Sequence, residues 1–231
     1  MFLARRSAQA EYFDDPRRSF VEVAEGYRQL GRINRLFLFA DPFQRLLSNW
    51  LGSEKCRELS VLDLGAGDGS LGRQLTQWAA RRRWSWRVTN LDVSPLALRL
   101  NHEGLNVVGS ALSLPFRDGS FDVVIASQMT HHLPDEAAVT QHFREAWRVT
   151  RDAIFVSDVH RNLAMIVLVW LSAHATGLSR EMRGDGLLSV RRSWRIPEWK
   201  AFVAAAQIPR AQVWLYGGAR MILQARKGDE K

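Results

Sequence analysis

Residues 61–70 read VLDLGAGDGS. An apolar run ends in glycines at alternate positions, Gly65, Gly67 and Gly69, with an aspartate, Asp63, set into the end of the run. Glycine loops that follow strands usually cradle phosphates on the next helix N-terminus, where an acid is unwelcome. Which ligand would want Asp63 at that turn decides how the rest of the chain is read.

The chain outside this stretch narrows the choice. It has 231 residues, 46% of them hydrophobic, enough for a real core and too many for global disorder. The single cysteine, Cys56, permits no disulfide framework, and no Cys/His zinc spacing can be written, so no metal ligand is assigned and a reducing cytoplasm is the expected setting. The N-terminal MFLARRSAQAEYF lacks the apolar stretch of a signal peptide. The most apolar window, LAMIVLVWL at 163–171, is too short to span a bilayer. The net charge of +8 would suit an anionic partner, yet the arginines come in scattered pairs and one triplet, with no aromatic-interleaved RNA-binding motif beside them.

Strand and helix patterns alternate after a helical stretch at 20–51 that Pro42 interrupts; Tyr27, Leu30 and Phe37 carry its helical spacing. Strands are expected at 59–64, 86–93, 105–110, 121–127 and 153–158, and helices at 70–82, from Pro95 to about Asn101, at 134–151 and at 196–207. Ser94 and Pro95 mark a helix start. AQVWLY and ARMILQAR close the chain as two strands turning at Gly217–Gly218. Such alternation implies a doubly wound, mostly parallel α/β sheet, here of seven strands with a C-terminal antiparallel hairpin, that binds ligands outside the carboxyl ends of its strands.

The glycine loop has two readings. Gly67, Gly69 and Gly72 fit the G-x-G-x-x-G dinucleotide pattern, but the first glycine lies three residues past Leu64, and Asp63 and Asp68 would face a pyrophosphate. A ligand with an ammonium group and no phosphate gains from the carboxylate instead. S-adenosylmethionine is such a ligand, and glycines let the backbone approach it closely.

At this point the sequence resembles the class I (Rossmann-like) S-adenosylmethionine-dependent methyltransferases. VLDLGAGDGS is similar to their first motif and NLDVSPLAL, at 90–98, to their second. GSALSLPFRDGSFDVVIASQMTHHLPDE, at 109–136, resembles the stretch that follows in the ubiquinone/menaquinone-biosynthesis and small-molecule subgroup. The resemblance covers about 59–160. It implies one methyltransferase domain over 1–231, with a helical cap at 1–50, a cofactor-binding core at 59–160 and a lid-like insertion at 163–193. It implies a cofactor site of Asp63, Gly65, Ala66, Gly67, Asp92, Val93, Ser110, Ala111 and Ser127, with Asp92 on the ribose hydroxyls. Ser110 stands where the family often has an acid that accepts from the adenine amino group; a neutral acceptor makes a weaker bond.

Methyl transfer needs a nucleophile aligned with the methyl carbon, and a base where that nucleophile is a phenol. Plant phenolic O-methyltransferases, a related family, carry a general-base histidine four residues before the Asp-Glu pair of this segment. That offset falls on His131, with His132 beside it, and either could instead only wall the pocket. His160 and Arg161 follow the fifth strand at the same edge and are candidate substrate contacts, with Asp158 placed to hold one of them. In 163–193, Val167 and Trp170 are the expected apolar contacts of a lid over an aromatic or lipid-like acceptor (a phenol, a quinol or a polyketide-like molecule); a core helix, a peripheral membrane contact and a dimer contact are the alternatives. An RNA methyltransferase would suit the charge, but ASQM at 126–129 lacks the Pro-Pro-aromatic motif of amino-group nucleic-acid methylation, so no nucleic-acid partner is favoured. A non-catalytic S-adenosylmethionine-binding module is the other alternative. The acceptor atom and the oligomeric state are not legible.

Overall fold

The computed structural model describes residues 3–36, 40–52 and 58–228. Phe37 and Cys56 lie outside them. The strands are β1 (Glu58–Leu64), β2 (Ser85–Asp92), β3 (Leu105–Val108), β4 (Phe121–Ser127), β5 (Thr150–Val159), β6 (Gln212–Tyr216) and β7 (Arg220–Arg226). They form one sheet in the order β3-β2-β1-β4-β5-β7-β6. β1 to β5 pair in parallel, and β7 enters antiparallel between β5 and β6. The order reverses between β1 and β4, so the carboxyl ends of these strands flank the crevice where such sheets bind ligands.

Strand alternation sorts the core into two layers. Leu62, Leu64, Val124, Ala126, Ile154 and Val156 face one way, onto α5 (Glu136–Val149) and α8 (Ile196–Ala205). Val61, Val123, Ile125, Ala153 and Phe155 face the other, onto α2 (Asp41–Leu51) and α3 (Ser70–Ala80). The central strands β1, β4 and β5 carry apolar residues on both faces because both faces are covered, whereas β3, at the sheet edge, is largely exposed.

Local chemistry sets the boundaries. Ser94 caps α4 (Pro95–Leu98) by accepting the Ala97 amide at 3.2 Å. This helix is shorter than its pattern suggests. Leu100 and Asn101 close three-residue turns instead of continuing it, and the Asn101 side chain bonds Asn106 at 2.8 Å and Arg73 at 2.9 Å. β3 stops two residues early: the Gly109 amide makes the last ladder bond, to the Asp92 carbonyl at 3.0 Å, and Ser110 then turns away into a bridge with Ser113. Residues 163–193 fold as two helices, α6 (Leu163–Ala175) and α7 (Arg180–Arg192), packed together. α1 (Phe20–Leu36) and a single 3₁₀ turn at Tyr12–Asp14 precede them in the chain.

Phe143 and Trp199 join α5 to α8, fully buried and edge-to-face at 5.5 Å. Phe143→Ala should lower the unfolding free energy by about 3–5 kcal/mol in urea titrations. A cost below about 1 kcal/mol would mean that this layer repacks freely.

Candidate functional site

β1 runs into three glycines with φ of +66°, +56° and +69° at Gly65, Gly67 and Gly69, a region other residues enter only at a cost. Space adds a second reason at all three, and at Gly69 a Cβ would run into the Asn101 side-chain amide. A Cβ on Gly65 would lie 2.5 Å from Met129, and one on Gly67 would lie 2.6 Å from the Tyr27 ring. The backbone of the turn is therefore bare on the side where α1 and the segment after β4 approach it.

Two acids stand against this turn. Asp63 is 1% exposed, and its Oδ2 has no hydrogen-bond partner. Burial, and then the negative charge of Asp92, push its carboxyl up to about 8, against the pull of the Gly72 amide. Asp92, at the end of β2, accepts the Gly67 and Ser94 amides at 2.8 Å each, one on each oxygen. Burial raises it as well, and those amides oppose the rise. An acid buried without a partner is suited to a cationic N–H donor. Asp92 keeps lone pairs for hydroxyl donors.

The remaining expected cofactor residues lie along the same strand ends. Ala66 donates its amide to the Leu91 carbonyl at 3.1 Å. Val93 is exposed, Ala111 is buried and Ser127 is half-buried at the end of β4. Ser110 is exposed, and its hydroxyl accepts the Leu112 amide at 3.2 Å. Tyr27, met in the sequence only as part of a helical spacing, packs its ring on Gly67. Its hydroxyl is pushed up by burial and then by Asp92, Asp68 and Asp14.

The histidine pair sits in a 3₁₀ turn at Thr130–His132 just beyond β4. His131 is 2% exposed. Its Nδ1 lies 2.7 Å from Asp158, which also accepts the His131 amide at 2.9 Å, the Thr130 hydroxyl and the Val159 amide at 2.7 Å. Burial would raise the Asp158 carboxyl, but the pull of His131, its ring bond and the Thr130 hydroxyl hold it below the usual range. A carboxylate cannot donate, so the ring proton is on Nδ1 and Nε2 is free. Nε2 faces Glu11, 3.7 Å from its Oε1. His132 stacks on His131 at 4.1 Å and sets its own Nδ1 2.9 Å from Asp14.

The sequence reading missed Glu11, Asp14 and Arg6, which the N-terminal segment carries to this site. Asp185 on α7 accepts the Tyr12 and Phe13 amides at 2.7 and 3.1 Å and so fixes the 3₁₀ turn. Arg6 donates to the carbonyls of His131, Leu133 and Pro134. Arg192 pairs with Asp14 and lies 3.6 Å from Glu11. Burial pushes Glu11 up to about 7. Among the described residues, Glu11, His131 and His132 present ligand atoms within 4.8 Å of one another, a set that a search for Cys/His spacing could not find.

The expected substrate contacts separate. His160 is half-buried and bonds Asn162 at 2.8 Å. Arg161 is 3% exposed and reaches Glu198 at 2.8 and 3.1 Å, while its Nε and other terminal nitrogen are buried without partners. Asp158 holds neither of these residues; it holds His131. Val167 and Trp170 point outward, 48% and 49% exposed. The opposite face of α6 (Met165, Leu168, Val169, Ala173) instead lines an apolar cavity of about 300 Å³, together with Tyr216 and Ile33. The helical period puts positions 165, 168, 169 and 173 on one side and 167 and 170 on the other. Among the described residues, no helix is long and apolar enough to cross a membrane.

Comparison with known proteins fits this geometry. Residues 62–156 match the methyltransferase domain family. The demethylmenaquinone methyltransferase of Roseiflexus castenholzii is 31% identical over 62% of this chain and 57% of its own length. The 2-methyl-6-phytyl-1,4-hydroquinone methyltransferase of Synechocystis is 24% identical over 79% of this chain and 65% of its own. The chain thus spans less than two thirds of the length of these curated relatives. The plantazolicin methyltransferase BamL, solved with a triazolic desmethylPZN analog and SAH, superposes with a TM-score of 0.65 at 15% identity, covering 93% of this chain and 92% of that one, a likeness of fold.

The raised Asp63 carboxyl has a thermodynamic consequence. An unfolded aspartate ionises near pH 4 (about 3.9), so between about pH 4 and 8 the folded chain holds one more proton. Stability from this group is present at low pH and is lost as pH rises through that window. Asp63→Asn should therefore gain on the native protein in denaturant midpoint steadily from pH 4 to 8. Parallel curves for the two proteins would show that Asp63 is ionised throughout.

Proposed function

We propose that this chain, whose residues 62–156 match the methyltransferase domain family, is a class I (Rossmann-like) S-adenosylmethionine-dependent methyltransferase that transfers a methyl group to a small aromatic or lipophilic acceptor such as a phenol or quinol. The observation that carries this reading is the buried, partnerless Asp63 Oδ2 beside a turn of left-handed glycines. The site fits the cofactor on that ground: Asp63 answers an ammonium group, Asp92 answers two vicinal hydroxyls, and Gly65 and Gly67 supply the left-handed backbone of the turn between them. Ser110 and Ala111 are proposed at the adenine end, and Ala66, Val93 and Ser127 as walls. Bound S-adenosylmethionine would supply a methyl group activated on a sulfonium sulfur.

The chain's own part is to hold, align and deprotonate. Asp158 keeps the His131 proton on Nδ1, so Nε2 can take the proton of an acceptor hydroxyl, and Glu11 gives way when that oxygen arrives. His132 is proposed as its neighbour on the pocket wall. The cavity under α6 supports a lipophilic acceptor, and the demethylmenaquinone and hydroquinone relatives act on acceptors of that kind by their names. His160 and Arg161 are proposed at the rim, and the exposed Val167 and Trp170 as a surface that meets a lipid phase presenting the acceptor. Incubation with labelled cofactor against lipophilic phenols and quinols, with total RNA as control, tests the acceptor class. Label on RNA alone would overturn it.

Two measurements probe the residues. If Asp63 is neutral near pH 7 and ionises against the ammonium, cofactor binding should release a proton. Calorimetry at pH 7 in buffers of different ionisation enthalpy would read it, and Asp63→Asn should abolish the buffer dependence. Buffer-independent heats for the native protein would remove the ammonium assignment. His131→Ala should lower kcat by about 100-fold or more while cofactor affinity survives, since a positioned base contributes about 10²–10⁴-fold. A near-native kcat would leave His131 as pocket wall.

A further inference from the structure

The arrangement around the histidine pair goes beyond what methyl transfer requires. Glu11, His131 and His132 converge their ligand atoms within 4.8 Å, and two of the three residues are buried. Each imidazole has its Nδ1 against a carboxylate, Asp158 for His131 at 2.7 Å and Asp14 for His132 at 2.9 Å. Both Nε2 atoms are thereby left as lone-pair donors. A carboxylate behind each histidine is how protein metal sites fix the tautomer and raise ligand basicity. The remaining gap, 3.7 Å from His131 Nε2 to Glu11 Oε1, is too long for a hydrogen bond. It is close to the edge of a coordination tetrahedron, about 3.3 Å for ligands at about 2.0–2.1 Å from the ion.

We infer that Glu11, His131 and His132 form a binding site for a divalent first-row transition ion, with Asp158 and Asp14 as the carboxylates that orient the two imidazoles. Two imidazoles and one carboxylate suit Zn²⁺-like ions and not Mg²⁺ or Ca²⁺, which take oxygen sets. Three protein ligands leave a fourth position for water or a substrate oxygen. Three carboxylates, those of Glu11, Asp14 and Asp158, face the pair. Arg192 opposes them but is engaged by Asp14, and Arg6 directs its donors to backbone carbonyls. His132, whose side chain is 36% exposed, gives the ion a path in.

The site has a consequence for catalysis. A coordinated ion takes the Nε2 lone pair that the proposed base uses and ties the N-terminal segment, through Glu11, to the turn after β4. The metal-loaded and base-competent states exclude one another. This consequence rests on the proposed role of His131; the site itself does not.

The test uses the full chain stripped of metal. Equilibrium dialysis against Zn²⁺, with metal analysis, should give one ion per chain, and Co²⁺ should give the visible ligand-field bands of a low-coordinate nitrogen–oxygen site. Glu11→Gln and His132→Ala should each weaken Zn²⁺ binding by at least about 100-fold, and Asp14→Asn by about 10–100-fold. The exposed His102→Ala and His174→Ala should leave it unchanged. Titration with S-adenosylhomocysteine should give native affinity in every variant, which shows that they are folded. Absence of saturable binding, or native Zn²⁺ affinity in Glu11→Gln and His132→Ala, overturns the proposal. Zn²⁺ bound at this site in a protein that fails to bind S-adenosylhomocysteine would instead sink the methyltransferase reading and leave the metal site standing.

Discussion

The carboxylate of Asp158 is fully buried at the end of β5, and the turn after β4 is organised around it. An ion in that position is strongly destabilising unless every lone pair is answered. Here the Thr130 hydroxyl, the His131 amide, the His131 ring and the Val159 amide answer it. Three of those four donors come from the turn after β4, so the ion ties that turn to the neighbouring strand. The Trp194 indole adds a bond to the Thr130 carbonyl at 3.1 Å and extends the tie to the segment before α8. The same bonds that keep Asp158 ionised decide which nitrogen of His131 is free.

The cofactor side is built on the opposite principle. Asp63 and Asp92 are both buried near one turn, the charge of Asp92 adds to the rise of Asp63, and Asp63 is left with an unanswered oxygen. Such a pair of buried acids is costly while an oxygen goes unanswered. The fold supports it with a fully buried β1–β4 core on both faces of the sheet. Function is thus placed where the local electrostatics are least satisfied, which is where pKa shifts mark ligand sites.

Between these two sites lies the N-terminal segment. Its 3₁₀ turn is held by Asp185, its Arg6 reaches three carbonyls of the loop after β4, and Tyr27 on α1 covers Gly67. One stretch of chain therefore covers both the glycine turn and the histidine pair.

How much of this was legible before the structure depends on the range of the interactions. The alternation of five strands with helices, the C-terminal hairpin and the glycine turn with Asp63 and Asp92 are properties of short windows. Period-two and period-3.6 apolar spacing, capping at Ser94 and the special backbone needs of Gly65 and Gly67 act over a few residues, so composition in order was enough to read them. The limits of α4 and β3 were misjudged because the Asn101 side chain bonds Asn106 and Arg73, and Ser110 turns into a bridge with Ser113, against the local preference. The meeting of Glu11 with His131, 120 positions away in the chain, and of Asp158 with the turn after β4 leaves no trace in any window. Val167 and Trp170 were expected as the apolar contacts of a lid, and the structure sets both on the outward face of α6, because the face follows from what α6 packs against. Local sequence determines which elements form; only the packing of distant elements decides which polar groups lose water together, and that loss of water creates the chemistry of the site.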